Sequence, residues 1–283
     1  MVQIRPLHPL FAGEVTGVDL RRPLPEADIA AIREAFERLS VLVFPGQDLD
    51  DEAQIAFSRH LGPLEETRAG AAGAGSPVIV LSNIGPDGAI APPTDKQVLN
   101  NHANRHWHHD SSFKPVPARA SLLHAREIAG VGGDTEFAST RAAWAELSAD
   151  LQRKAWGRVA LHDFGWSRSR VAPELVSERE RTDWPPVRQA AVLDGPQGPA
   201  LYLGAHARGI EGMAEDEGRA LIERLMEHAT QPRFVYAHRW RPRDLVLWDN
   251  RAVLHRATPF ANTTERRHMV RTTIAGAGPT LAA

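Results

Sequence analysis

The run His106-Trp107-His108-His109-Asp110, set against the downstream block Leu247-Trp248-Asp249-Asn250-Arg251-Ala252-Val253-Leu254-His255, decides how this chain is read. In extended backbone successive side chains alternate faces, so His108 and Asp110 project together while His109 points away. An imidazole from His255 would complete two histidines and one carboxylate on one side of a cation, leaving the other side open. That donor set suits a non-haem Fe(II) centre that admits substrate and oxygen. A His-x-Asp pair alone is weak, because two polar residues in a strand are commonly solvent-facing. His255 strengthens it, since it ends an apolar strand after a turn-rich Asp249-Asn250-Arg251 corner, where a buried imidazole needs a partner. The competing reading of His255 is a core histidine bonded to backbone.

Composition narrows the chemistry. The chain has 283 residues, 42% of them hydrophobic, enough for one large domain or two small ones with an ordinary core. Its 33 basic and 35 acidic residues give a net charge of -2, which offers no electrostatic basis for binding nucleic acid or an anionic membrane. Cysteine is absent, so disulfides, zinc ribbons, iron-sulfur clusters and thiol nucleophiles are excluded, and a metal site must draw on Asp, Glu or the 13 histidines. Met1-Val2-Gln3-Ile4-Arg5-Pro6 lacks an apolar signal core and no stretch approaches the roughly 20 apolar residues of a membrane span, so a cytoplasmic location is expected.

Helical spacing of Ile29, Ile32, Phe36 and Leu39 predicts an amphipathic helix over 26–39, and the β-branched run 40–44 predicts a strand closed by Pro45-Gly46. Asp50-Asp51 opens a second helix through Leu61. Two Gly-, Ala- and Pro-rich pieces, 65–77 and 85–93, flank a strand at 78–81. Further strands are expected at 119–127, from the turn Gly132-Gly133-Asp134-Thr135-Glu136-Phe137, and at 200–203, with helices at 141–156 and 215–229. Strands at 233–240, 245–248, 252–255 and 269–274 dominate the C-terminal half. The polar segment 168–188, with Pro173 and Pro185-Pro186, reads as a long surface excursion. With no repeat and no linker, the expectation is a single domain over 1–283. It is mainly β with flanking helices and a double-stranded β-helix (jelly roll, cupin-like) core, with lid segments near 65–100 and 167–188.

Arg267 and Arg271 lie four apart on one of the last strands and share a face if that strand is regular. Exposed arginines are the bland reading. Guanidinium groups aimed into a barrel call for an anion, because an unpaired buried charge is costly and a carboxylate offers bidentate geometry.

These blocks together resemble the taurine dioxygenase family of Fe(II)/2-oxoglutarate-dependent oxygenases, and within it the 2,4-dichlorophenoxyacetate (aryloxyalkanoate) branch. The resemblance rests on His8-Pro9-Leu10-Phe11, on Asn104 with Trp107-His108-His109-Asp110-Ser111-Ser112-Phe113, and on Gly132 through Phe137. Gly204-Ala205-His206-Ala207, His228-Ala229-Thr230-Gln231 and Leu247 through Arg256 extend it along nearly the whole chain. It implies His108, Asp110 and His255 as iron ligands, 2-oxoglutarate as cosubstrate and O2 as oxidant. It also implies Thr135 and Arg267 at the distal 2-oxoglutarate carboxylate, with Arg266 as the alternative to Arg267. Arg271 would meet an anionic group of the prime substrate, with Asn104 and Ser111 as further substrate contacts. His106 and His109 beside the triad could support a ligand or line the pocket.

The implied reaction hydroxylates the carbon beside an ether oxygen of a small anionic substrate, giving a phenol and an oxo acid with succinate and carbon dioxide. One departure bears on the substrate: relatives carry lysines in the loops before the metal motif, whereas here 65–81 has none and only Lys96 precedes Asn104. A sulfonate or sulfate ester dioxygenase is the alternative within the same chemistry. A non-redox metal-binding cupin-like module, or an interaction domain with incidental histidines, stands outside it. Relatives are commonly oligomeric, so a homo-oligomer is expected.

Overall fold

The computed structural model describes residues 2–66 and 75–281. It opens with β1 (Gln3–Pro6), β2 (Gly13–Thr16), α1 (Glu26–Leu39), β3 (Val41–Phe44), α2 (Asp51–Arg59) and β4 (Val78–Ser82). There follow α3 (Lys96–Ala103), β5 (Ala120–Glu127), β6 (Thr135–Ser139), α4 (Thr140–Ala145), α5 (Ala149–Ala155) and β7 (Val159–His162). The next stretch holds α6 (Phe164–Ser169), α7 (Glu178–Asp183), β8 (Val187–Ala190), β9 (Val192–Gly195), β10 (Gly198–Leu201) and β11 (Ala207–Ile210). The last elements are α8 (Glu215–Ala229), β12 (Val235–His238), β13 (Leu245–Asp249), β14 (Val253–Ala257) and β15 (His268–Ile274).

Alternation along the central strands builds two cores back to back. Seven strands pair in the order β1-β2-β3-β13-β5-β15-β4, and a smaller sheet pairs as β12-β6-β14. In β3, Leu42 and Phe44 pack with Ile29, Ile32 and Phe36 of α1. Val41 and Val43 instead join Phe137 of β6 and Val253 of β14. The neighbouring strands divide the same way. Leu122, Leu245 and Leu247 face the helices, while Leu123, Val246 and Trp248 face the smaller sheet. A strand buried on both faces reads as a continuous apolar run, which is how these appear in the sequence. The smaller sheet is two-sided as well, since Ala138 and Leu254 pack with Leu221, Ile222 and Leu225 of α8. The result is the expected jelly-roll core with helices outside.

Capping explains where the helices begin. Asp50 accepts from Ala53 N at 2.8 Å to start α2, and three acidic residues fill the first turn of α8. It also explains three departures from the sequence reading. The helix expected over 141–156 is divided because both Ser139 and Ser148 act as caps, for α4 and α5. The excursion 168–188 is helical in part: a 3-10 turn spans Pro173–Leu175, and Ser177 and Glu180 form a capping box at the start of α7. Residues 96–103, left unassigned, form α3 because Asp95 takes the amides of Gln97 and Val98.

Two further expectations change. His106 to Asp110 is not a strand: His108 makes an isolated bridge to His255, and Asp110 begins a turn. The proposed lid near 65–100 falls partly outside the described residues, at 67–74, and β4 and α3 occupy much of the remainder. No described helix is long and apolar enough to cross a membrane.

Leu247 is fully buried in β13, opposite Leu42 on one side and Leu122 on the other. Leu247→Ala is expected to cost about 2–5 kcal/mol. In urea titration this lowers the midpoint with the slope unchanged.

Candidate active site

His108 and His255 exchange both backbone hydrogen bonds, each 3.0 Å, across the bridge that joins the segment before β5 to β14. Residues directly opposite in an antiparallel pair point to the same face, so both imidazoles emerge on one side, with ring centroids 4.1 Å apart. His108 Nδ1 is held by the His106 carbonyl at 2.8 Å, which leaves Nε2 facing inward. Asp110 completes the group: its Oδ1 lies 3.9 Å from His108 Nε2 and its Oδ2 3.6 Å from His255 Nε2. Those separations exceed a hydrogen bond, and the three donor atoms lie within 4.8 Å of one another. All three residues are buried. Donors that face a shared point without bonding to each other, two imidazoles and a carboxylate, fit an Fe(II) ion.

The downstream block positions the carboxylate. Trp248 Nε1 donates to Asn250 Oδ1 at 3.0 Å, and that oxygen accepts the Asp110 amide at 3.2 Å. Asn250 Nδ2 donates to Ser121 Oγ at 3.0 Å, and Ser121 donates to Asp110 Oδ2 at 2.7 Å. Asp249 serves the frame instead, bonding Arg251 at 2.9 Å beside Glu37. Arg271 Nη1 donates to Asp110 Oδ1 at 2.5 Å. Burial would raise the Asp110 pKa, but Arg271, the two histidines and Ser121 outweigh it and hold the carboxyl well below its usual range. Burial pushes His255 well down, assisted by His108, so its imidazole is neutral and able to ligate a cation.

A cavity of about 760 Å³, counting its open mouth, lies against His108 and His255. Thr135, Arg267, Arg271 and Asn104 line it, together with Arg105 and several apolar residues. Thr135 is buried at the start of β6 and accepts from Trp240 Nε1 at 3.0 Å. Arg267 Nη2 donates to the Gly133 carbonyl at 3.2 Å, and burial lowers its pKa to about 10. Gly132 and Gly133 have φ of 76° and 70°, and a Cβ on Gly132 would strike the Pro259 carbonyl, so this turn needs glycine. Arg266 points elsewhere, pairing with Glu127 at 2.8 Å and with the Gly88 carbonyl.

The remaining candidates separate. Asn104 caps α3 and its carbonyl takes the Ala257 amide at 2.8 Å. Ser111, with φ of 55°, donates to Glu65 at 2.9 Å and is not among the lining residues. His106 is exposed and acts through its carbonyl, whereas His109 is buried against Tyr202 at 4.5 Å. The sequence reading missed Asn101, His102 and Arg105, all cavity residues brought in by α3 and the turn after it. Asp95 as a cap was the available signal.

His162 also stacks on Tyr202, with ring centroids 5.8 Å apart, and both its ring nitrogens are buried without a hydrogen-bond partner among the described residues. Burial pushes its pKa down to about 4 from 6.5. Between these values the unfolded chain binds the extra proton, so stability is full above pH 6.5 and falls as pH drops toward 4. The loss from this one group amounts to about 3 kcal/mol. Denaturant titrations across that range should show a shallower pH slope for His162→Phe than for the parent.

The model of the taurine catabolism dioxygenase TauD, TfdA family matches residues 3–273. The alpha-ketoglutarate-dependent 2,4-dichlorophenoxyacetate dioxygenase of Cupriavidus pinatubonensis is 41% identical over 279 residues, covering 96% of this chain and 97% of the relative. The (S)-phenoxypropionate/alpha-ketoglutarate-dioxygenase of Sphingobium herbicidovorans is 35% identical over 283 residues, covering 96% and 94%. The crystal structure of AAD-2 in complex with Mn(II) and N-oxalylglycine aligns over 100% of both chains with a TM-score of 0.92 and 38% identity. With the family model running from the first strand to the last and the two-histidine, one-carboxylate group inside the jelly roll, this chain belongs to the taurine catabolism dioxygenase TauD, TfdA family.

Proposed function

We propose that the protein is an Fe(II)- and 2-oxoglutarate-dependent dioxygenase that hydroxylates the carbon beside the ether oxygen of an aryloxyalkanoate. The product is a hemiacetal, which falls apart to a phenol and an oxo acid, while 2-oxoglutarate becomes succinate and carbon dioxide. The observation that carries this reading is the buried His108, Asp110 and His255 group opening on a cavity that also holds Thr135 and Arg267. The identity to relatives named for 2,4-dichlorophenoxyacetate and phenoxypropionate supports the substrate class.

In this reading His108, Asp110 and His255 hold the iron. When bound, Fe(II) supplies the redox chemistry that couples O2 to decarboxylation of the 2-oxo acid and oxidation of the substrate C–H bond. Arg267 and Thr135 receive the distal carboxylate of 2-oxoglutarate, where a guanidinium fork and a hydroxyl give directional bonds. Arg271 keeps Asp110 ionised and oriented. Leu81, Val98, Leu123, Trp248 and Phe260 give the cavity an apolar wall that packs an aryl ring and excludes water. The reading places the enzyme in the cytoplasm, where 2-oxoglutarate is a metabolite.

The test is succinate formation by anaerobically iron-loaded protein given 2-oxoglutarate and air, with phenoxyalkanoates, alkanesulfonates and sulfate esters supplied one at a time. Stimulation by phenoxyalkanoates, lost in His108→Ala, is the expected outcome. Stimulation by a sulfonate or sulfate ester instead would overturn the substrate class, and no turnover at all would overturn the oxygenase. In the same assay Arg267→Gln should raise the KM for 2-oxoglutarate by about tenfold or more, the loss of a charge-assisted bidentate contact, while Arg266→Gln changes it less than about twofold.

A further inference from the structure

The cavity wall carries three guanidinium groups, Arg105, Arg267 and Arg271, and no carboxylate among its lining residues. Two of the three have acceptors. Arg267 bonds the Gly133 carbonyl, and Arg271 bonds Asp110. Arg105 follows the last turn of α3, where its amide bonds the His102 carbonyl at 3.1 Å. Its side chain is half-buried and makes no hydrogen bond or ion pair among the described residues. A guanidinium drawn partly out of bulk water with no acceptor is an unfavourable arrangement, and its natural complement is an anion that enters the cavity.

Lys96, at the start of the same helix, is not available for that task. It is exposed to solvent and pairs with Glu180 at 3.4 Å, away from the cavity. The segment 75–81 contributes Leu81 to the wall and no cation.

We infer that Arg105 is the specificity-determining cation that takes the acid group of the prime substrate. This deepens the proposed function and rests on it. The role the sequence resemblance implied for Arg271 passes to Arg105, because Arg271 is already committed to Asp110. Charge supports the assignment. Arg267 bonds the Gly133 carbonyl and Arg271 pairs with Asp110, so among the cavity-lining guanidinium groups Arg105 is the one without an acceptor among the described residues. The wall between the cations is apolar, through Val98, Leu123 and Phe260, so the complementary ligand has an aryl or alkyl body and one carboxylate.

The experiment is anaerobic titration calorimetry of phenoxyacetate and of its uncharged analogue 2-phenoxyethanol into iron-loaded protein holding 2-oxoglutarate. It is run on the parent, Arg105→Gln and Arg105→Lys, with the KM for each compound measured aerobically. Arg105→Gln should weaken phenoxyacetate by about tenfold or more, as expected for a lost charge-assisted pair, and phenoxyethanol by less than about twofold. Arg105→Lys, which keeps the charge and loses the fork, should fall between. Circular dichroism checks folding, and if Arg105→Gln fails to fold, an acid-selective loss in Arg105→Lys carries the same weight. Equal losses for acid and alcohol, or no loss for the acid, overturn the assignment. Acid binding that depends on Arg105 without turnover would overturn the proposed hydroxylation and leave Arg105 standing. Turnover of phenoxyacetate with an unchanged KM in both variants would do the reverse.

Discussion

The pair of backbone hydrogen bonds between His108 and His255 is the constraint on which the site depends. Two residues far apart in the chain become direct opposites in an antiparallel pair, and geometry then obliges their side chains to share a face. A slip of one residue on either side would send one imidazole to the opposite face and dissolve the donor set. The bridge is isolated, so it gains no register support from a longer ladder around His108. Its support comes from β14 itself, which is laddered to β6 over five residue pairs, and from the Asn104 carbonyl, which takes the Ala257 amide on the same side.

Given two imidazoles on one face, the second problem is to keep a carboxylate ionised between them in a buried setting. Desolvation opposes this, and Asp110 overcomes it with one guanidinium and a chain of neutral donors. Trp248, Asn250 and Ser121 form that chain, so the residues just before His255 in sequence orient the carboxylate that lies beside His108. The Leu247–His255 block therefore acts twice, once through its imidazole and once through the carboxylate it holds. Arg271 comes from the larger sheet and His255 from the smaller one, which makes the separation of the two sheets a determinant of the site's electrostatics.

The sequence reading reached the ends of α1 and α8 because Ile29, Ile32, Phe36 and Leu39, and later Leu221, Ile222 and Leu225, keep strict helical spacing between clear start and stop residues. It reached the central strands because burial on both faces writes them as uninterrupted apolar runs. It reached His108, Asp110 and His255, although its stated reason, a regular strand at 106–110, was mistaken. The bend at Asp110 brings the carboxylate beside both imidazoles through long-range bonds to Asn250 and Ser121, which no local pattern announces. Short elements such as α3 were illegible for a related reason. With Asn100, Asn101 and His102 in its last turns, α3 has only a short apolar face, Val98, Leu99 and Ala103, and the Asp95 cap and the bonds from Gln97 and Asn101 to the Ser82 carbonyl add to it.

That contrast bears on how the fold divides its work. The two-histidine, one-carboxylate group and the acceptors of Arg267 and Arg271 sit on sheet strands or are tied to them, where a substitution disturbs register and core together. The wall that carries Asn101, His102 and Arg105 belongs instead to a short helix outside the sheets. It is fastened by Leu99 packed on Ala172, Leu175 and Val176, by side-chain bonds to Ser82, by Lys96 to Glu180 on α7, and by a weak 3.5 Å contact from Arg168 to the Asn100 carbonyl. The polar attachments among these contribute little individually and can be exchanged while Val98, Leu99 and Ala103 stay packed. Residues on that wall can therefore change charge and shape at small cost to the ligand group opposite. The part of the cavity least written into the periodicity of the chain is thus the part freest to set which acid it accepts.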